Sequence, residues 1–462
     1  MHPSIDQFRE RVRGPVVTAT DAGYEHARRV YNQMIDRRPL AVVQALDTGD
    51  VATAIDFARD NDLDLSVRGG AHNVAGFGTN DGGLVIDLSR MRGVRVDPRT
   101  RTARAAGGTT WGDFDHATYP FGLATPGGIV STTGIAGLTL GGGIGHLTRG
   151  LGLTIDNLLS VDIVTADGRM LVASEDEHPD LFWAVRGGGG NFGVVTSFEY
   201  RLHPVKDIVA GIFFYPLDRA REVLEFYRAY IEDAPEQMGA FPAFLVAPPL
   251  PFLPESEHGK TFVAIVACWS GPVEQGENAM APIRAAAPVV AEMVTPMPYP
   301  MLNSMFDALI PPGLQNYWKT SLARELTDGA IEAHLEYGPR VPTMSTAVHI
   351  YPINGACHRV APDATAFAQR DATFATNIAA IWPDPADNAT NIGWVREYYQ
   401  ALAPHSAAGG YVNFLDQDDQ GRVRDTYGPN YDRLVSVKMT YDPGNLFHLN
   451  QNVKPEPAVL AG

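Results

Sequence analysis

The residues with the most chemical potential in this chain sit among glycines. Ser66-Val-Arg68-Gly69-Gly70-Ala71-His72-Asn73-Val-Ala-Gly76-Phe-Gly78 runs from an apolar strand into a turn that carries His72. Glycines on both sides let the backbone take φ > 0 and come close to a flat or anionic ligand, and the histidine then faces that ligand at short range. An isolated Gly-Gly-x-His is more often an ordinary capped turn, so the weight falls on the rest of the chain. Two further glycine concentrations supply it. One is Pro126-Gly127-Gly128-Ile-Val130-Ser131-Thr132-Thr133-Gly134-Ile-Ala-Gly137-Leu-Thr-Leu-Gly141-Gly142-Gly143-Ile-Gly-His146; the other is Arg186-Gly-Gly-Gly-Gly190-Asn-Phe-Gly193, which leads into Val194 and Val195. Gly188, Gly190 and Gly193 meet the spacing G-x-G-x-x-G, but a Rossmann fingerprint opens a helix and this one opens a β-branched strand. Three glycine clusters on neighbouring loops suit a long dinucleotide cradled by backbone N–H groups.

These loops need elements to position them. Thr20 to Asp36 reads as a surface helix, Leu40 to Ala45 as an apolar strand and Asp50 to Asn61 as a second helix. Leu63 to Arg68 is the strand that delivers the chain to His72, completing a small βαβ-type unit. Gly83 to Leu88 and the pair Val94 to Val96 and Thr102 to Ala106 continue a sheet, followed by a helix at Trp111 to Tyr119. Asn157 to Ser174 reads as two strands joined at Ala166-Asp167-Gly168, and Val194 to Leu202 as another. Beyond His203-Pro204 the glycine clusters stop and strands alternate with amphipathic helices such as Asp218 to Glu232 and Glu274 to Ala287, so a new domain is expected near Val205. Strands are expected there at Phe262 to Ala267, Asn316 to Lys319, Thr346 to Tyr351, Thr373 to Ile381 and Gly410 to Phe414. Proline-rich Ala247 to Pro254 and Pro296 to Pro300 read as surface loops, and Tyr427 to Met439 as a helix.

The 462 residues, 45% hydrophobic, suffice for two or three domains with sizeable cores. A formal charge of -17 without any run of Lys or Arg argues against a nucleic-acid partner. No basic-then-apolar leader is seen, and Cys268 and Cys357 lack metal or redox spacing, so a cytoplasmic location and no metal are expected. Ala117 to Gly145 holds no charged side chain, yet Pro126 and its Gly, Ser and Thr content describe backbone packed on a large buried ligand, not a membrane span. Oligomeric state stays open.

In order, Arg68-Gly-Gly-Ala-His72-Asn73, Gly134 to Gly143, Gly152-Leu-Thr-Ile-Asp156-Asn157, Asp180 to Gly189, Asn191-Phe-Gly-Val-Val195, Tyr411-Val-Asn413 and Tyr441-Asp-Pro-Gly-Asn-Leu-Phe447 form a set. It resembles the FAD-linked oxidases of the vanillyl-alcohol-oxidase superfamily, and within it the berberine-bridge-enzyme-like branch, over nearly the whole chain. Bacterial 6-hydroxynicotine oxidases and polyketide-tailoring flavoenzymes are similar. The resemblance implies an α+β fold in which residues 1–205 and 415–462 make a two-part FAD-binding domain. Residues 206–414 would form an inserted substrate domain, an antiparallel sheet covered by helices. It further implies FAD held by the three glycine stretches, with Asn413 and Asn450 among the binding residues, and bonded to His72 through the ring's 8-methyl carbon. Many relatives add a second bond from a cysteine where this chain has Val130, so a single covalent link is expected.

The resemblance also assigns chemistry. Tyr411 matches a tyrosine that acts on substrate in several relatives, and Asn413 lies two residues along the same expected strand. His349 and Tyr351 share a face of the strand Thr346 to Tyr351, where some relatives carry an acid/base residue. Asn377 is the polar residue of useful length on the strand where plant members use a carboxylate, while Tyr317 and Trp318 suit an aromatic pocket or the core. Thr133 stands where a valine or leucine often governs oxygen access; it either packs beneath the flavin or offers its hydroxyl to O2 or a flavin–oxygen adduct. The implied function is an oxidase that passes hydride from an alcohol, amine or phenol-type substrate of secondary metabolism to flavin N5, with O2 reduced to H2O2. Two alternatives stay open: an oxygenase that uses a flavin-N5-oxide on a polyketide or phenolic substrate, and a flavin-bearing binding protein without turnover.

Overall fold

The structure, a computed structural model, describes residues 4 to 456. β1 (Val16–Val17), β2 (Ala41–Gln44), β3 (Leu65–Arg68) and β4 (Leu84–Asp87) form a first sheet in the order β1-β2-β4-β3, with β4 parallel to both neighbours. Burial of both faces explains the apolar run Leu84-Val85-Ile86 in β4, which ends at Asp87. The helix Thr48–Asp60 connects β2 to β3 as expected, but β4 inserts between them, so the two strands of the βαβ unit do not touch.

β5 (Val94–Asp97), β6 (Thr102–Ala106), β7 (Leu158–Val164), β8 (Met170–Ser174) and β9 (Val194–Arg201) build a second, antiparallel sheet in the order β5-β6-β9-β7-β8. The hairpin at Val94 therefore opens a new sheet and does not extend the first. The third sheet is antiparallel and contains β10 (Asp207–Tyr215), β11 (Met238–Val246), β12 (Thr261–Trp269), β13 (Ala291–Pro298), β14 (Gln315–Ala323), β15 (Ala347–Pro352) and β16 (Phe374–Trp382). Its order is β13-β10-β12-β11-β15-β16-β14. Strand alternation sorts its two faces. Val348, Ile350, Ile378, Ala380 and Phe244 pack with Val223, Ile331 and Val395 of the covering helices in the largest core, while His349, Tyr351, Asn377 and Ala379 point the other way into a cavity. This is the expected α+β arrangement, an antiparallel sheet covered by helices on one face. Among the described residues no helix is long and apolar enough to cross a membrane, and no cluster of side chains could hold a metal ion.

Four local expectations are corrected. Within Thr20 to Asp36 only Tyr24–Ala27 is helical, because the rest bridges two parts of the molecule: the Asn32 amide donates to the carbonyls of Val74 and Asn316. Gly410 to Phe414 is not a strand but enters a short 3-10 helix, Val412–Phe414. Pro296 and Pro298 belong to β13, where an edge position leaves their missing N–H without consequence for the ladder. Ala247 and Leu253 are buried in a small core beneath the sheet, so the first proline-rich segment is not wholly surface loop. β10 and β11 escape a reading by composition because Gly211, Gly239 and Pro242 punctuate them; pairing of β11 to β15 starts only at Ala243.

A polar contact crosses the seam between the helix Trp111–Thr118 and the helix Tyr299–Asn303. Asn303 Nδ2 donates to Asp115 Oδ2 at 2.8 Å, and Asp115 Oδ1 is buried without a partner. Burial pushes the Asp115 pKa up to about 7, from 3.8 in the unfolded chain. The folded state thus keeps a proton that the unfolded state releases, and stability from this site is complete below about pH 4 and falls as pH rises through about 7. Asp115→Asn is expected to raise the melting temperature at about pH 8, an effect of up to roughly 4 kcal/mol, and to gain little at about pH 4. Thermal unfolding at the two pH values checks it.

Candidate active site

The free face of the third sheet and the three glycine stretches enclose a cavity of about 430 Å³. β3 carries the chain into Gly69 and Gly70. A Cβ on Gly70 would lie 2.2 Å from the Gly134 nitrogen, and one on Gly134 would lie 2.3 Å from the Gly70 nitrogen. These two glycines therefore dock the first stretch onto the second and leave no gap for a ligand. The left-handed residue in the turn is Ala71, at φ +61, a conformation that costs a residue with a Cβ roughly 1–2 kcal/mol. It sets up His72. That ring stacks on Tyr31 with centroids 4.1 Å apart, its Nε2 lies 3.0 Å from Thr132 Oγ1, and its Nδ1 lies 3.4 Å from Thr133 Oγ1. Burial lowers the His72 pKa to about 4, so the imidazole is neutral at physiological pH and keeps a lone pair.

Of the expected cofactor-binding residues, Gly69, Gly70, Ala71, His72, Asn73, Gly128, Val130, Gly134, Gly137, Gly190, Gly193, Val194, Val195 and Asn450 line the cavity, as do the catalytic candidates Thr133, His349, Tyr351, Tyr411 and Asn413. At Gly137 and Gly190 no atom lies within 4 Å of where a Cβ would stand, so both open directly on the cavity. Asn450 Nδ2 donates to the Gly190 carbonyl at 3.2 Å while its Oδ1 is buried and unpaired.

The remaining expected residues act behind the wall. Arg68 lines the cavity, but its guanidinium is spent on the carbonyls of Ala27 and Arg29 and on Asp87 at 2.7 Å, a buried ion pair that holds β3. Gly76 packs on Ile35, Gly127 lies under the Trp111 ring, and the Pro126 carbonyl accepts the Thr154 hydroxyl at 2.8 Å. Ser131 reaches across to Asp307, its N–H at 3.0 Å and its Oγ at 2.5 Å, and so ties the segment of Phe306, which lines the cavity, to the second glycine stretch. Gly141 and Gly142 give way to Asn413 and to the Tyr411 ring.

Tyr411 Oη accepts from the Gly143 N–H at 2.7 Å and from Asn413 Nδ2 at 2.8 Å. The helical turn at Val412 brings the Tyr411 and Asn413 side chains into contact, where an extended strand would keep them parallel and apart. Burial pushes the Tyr411 pKa up to about 12, against the opposing pull of these donors. On the roof, the Tyr351 hydroxyl and His349 Nδ1 are 2.9 Å apart; burial lowers the His349 pKa to about 4 and raises that of Tyr351. Asn377 stands directly opposite His349 in register. Trp318 faces the cavity, whereas Tyr317 points to the other side of the sheet and bonds Asp418. Cys268 and Cys357 are buried away from the cavity, their thiols pushed up to about 12. Tyr31 and Asp307 went unforeseen: neither lies in a glycine motif, and each acquires its role only from a neighbour distant in sequence.

Sequence comparison bears directly on this arrangement. The FAD-binding-domain family matches residues 39–174, and the berberine and berberine-like family matches residues 410–454. The chain is 33% identical over 456 residues to an FAD-linked oxidoreductase of Dictyostelium discoideum, spanning 98% of this chain and 97% of that relative. It belongs to the berberine-bridge-enzyme-like family of FAD-linked oxidoreductases. Within this berberine-like family it is 31% identical over 464 residues to (R)-6-hydroxynicotine oxidase of Paenarthrobacter nicotinovorans, spanning 96% and 97% of the two chains. The crystal structure of 6-hydroxy-D-nicotine oxidase from Arthrobacter nicotinovorans is similar with a TM-score of 0.85 at 28% identity, over 96% of this chain and 98% of that one. A berberine-like protein of Physcomitrella patens shares the fold, with a TM-score of 0.87 at 21% identity over 98% and 100%. The cofactor of this berberine-like chain is FAD. The open floor at Gly137 and Gly190 and the unpaired Asn450 Oδ1 fit such a group.

Proposed function

We propose that this protein is an oxidase that removes a hydride and a proton from a small organic alcohol, amine or phenol and returns the electrons to O2 as H2O2. FAD, when bound, supplies the hydride acceptor at its N5. Residues 1–205 and 415–462 serve as the cofactor-binding part and residues 206–414 as the substrate part. His72 anchors the cofactor covalently. The hydroxyls of Thr132, 3.0 Å from Nε2, and Thr133, 3.4 Å from Nδ1, hold the ring in place for that bond. With Val130 in place of a second attachment and both cysteines distant from the cavity, the link is single. Two buried free thiols also suit a reducing cytoplasm.

Tyr411 carries this conclusion. Its oxygen is aimed by two N–H donors that stabilise the tyrosinate, the form that accepts a proton as the substrate gives up hydride. His349, braced by Tyr351, orients the substrate from the roof.

Anaerobic addition of substrate is expected to bleach the flavin, and readmission of ¹⁸O2 to place the label in peroxide. Label in the organic product overturns the oxidase assignment; absence of bleaching by any alcohol, amine or phenol in a broad panel overturns turnover itself.

A further inference from the structure

The roof of the cavity is more apolar than the oxidation of sugars or charged amines calls for. Ile212 and Phe214 of β10, Leu245 of β11, Val266 of β12 and Ile381 of β16 all face it. Among the described lining residues only Arg68 carries a charged side chain, and its guanidinium is buried against Asp87. A charged substrate would leave water without meeting a counter-charge. An oligosaccharide bears a hydroxyl on nearly every ring carbon, and this roof would strand most of them without partners.

Against that background, polar groups converge on one corner. His349 and Asn377 are paired across β15 and β16, and Trp318 of β14 is paired with Ala379, two residues along β16 from Asn377 on the same face. Asn377 is 4% exposed, and its Oδ1 has no partner in the protein; neither does Trp318 Nε1. The first accepts a hydrogen bond and the second donates one. Buried groups of this kind are paired in functional complexes, and both of these open on the cavity, where a ligand can supply the pairing.

We infer that the substrate is an uncharged aromatic or polycyclic compound with a hydroxyl at one end, donating its O–H to Asn377 and accepting from Trp318 Nε1. The assignment holds only if this cavity is the substrate site of the oxidase proposed above. A site built to bond a hydroxyl rejects the analogue that lacks it more strongly than an apolar wall rejects a change of size.

Isothermal titration calorimetry of the purified holoenzyme with 2-naphthol, naphthalene, 2-naphthoate and cellobiose tests it. 2-Naphthol is expected to bind at least about tenfold more tightly than naphthalene or 2-naphthoate, with no heat from cellobiose, and Asn377→Leu to bring 2-naphthol to the level of naphthalene. Cellobiose or 2-naphthoate binding as tightly as 2-naphthol, or no binding of 2-naphthol, overturns the class. The wild-type series decides this even if Asn377→Leu fails to fold. A preparation without flavin absorbance overturns the oxidase assignment separately, since the heats report binding without any flavin signal.

Discussion

His72→Ala is expected to abolish the flavin fluorescence that the wild-type band retains in a denaturing gel. The effect is all or none, because among the described residues no other histidine or cysteine stands on the glycine side of the cavity, His349 lying on the opposite roof. His72 is the histidine on the cavity wall of the glycine cradle, Val130 lines the cavity with a side chain that cannot form a bond, and both cysteine thiols are buried elsewhere with pKa values of about 12. The bond needs an unprotonated ring nitrogen, which burial provides by lowering the His72 pKa to about 4. Thr132→Val is expected to give a partial result, with a smaller covalent fraction at equal protein, since loss of the 3.0 Å contact at Nε2 loosens the hold on the ring. Non-covalent FAD should still be recoverable from His72→Ala, because Gly137, Gly190 and Asn450 are untouched. Fluorescence in the mutant band, or free flavin in both lanes, removes His72 from its assigned role.

Tyr411→Phe should lower kcat by about 10²–10⁴-fold while leaving covalent flavin in place, the usual loss when a proton acceptor is removed. The pH profile distinguishes this role from that of His349. Tyr411 is pushed up to about 12, so the ionised fraction grows tenfold per pH step through the alkaline range, and wild-type kcat/KM should climb from about pH 7 to about pH 10. His349, with a pKa of about 4, would instead bring the rate to a plateau by about pH 6. Asn413→Leu removes one of the two donors to the Tyr411 oxygen and should cost about tenfold, roughly one charge-assisted hydrogen bond. A Tyr411→Phe enzyme with wild-type kcat and an unaltered pH profile would assign the proton to another group.

The cavity also shows why some of these residues were legible and others were not. His349 and Tyr351 share a face because strand periodicity is local, and the intervening Val348 and Ile350 reveal which side meets the core. The glycine stretches are equally local signals, since permission for a backbone to approach closely is written in the missing Cβ. Their use is another matter. Gly70 is glycine to admit Gly134, 64 positions away, whereas Gly137 and Gly190 are glycine to keep the floor open. Arg68 illustrates the same divide: its strand was evident, but its guanidinium turns to Asp87.

From its own residues, then, the chain declared three glycine-rich loops with a histidine among them and the alternating strands of a second half, while the family resemblance pointed to the candidate groups for proton transfer. Tertiary structure alone decided that Tyr31 stacks on His72, that Ser131 ties down Asp307, that Tyr411 and Asn413 meet in a turn, and that Asn377 stands beside His349 with an unpaired oxygen. Periodicity and backbone freedom are properties of consecutive residues. Whether a polar atom finds a partner depends on strand order and register, which join segments hundreds of residues apart.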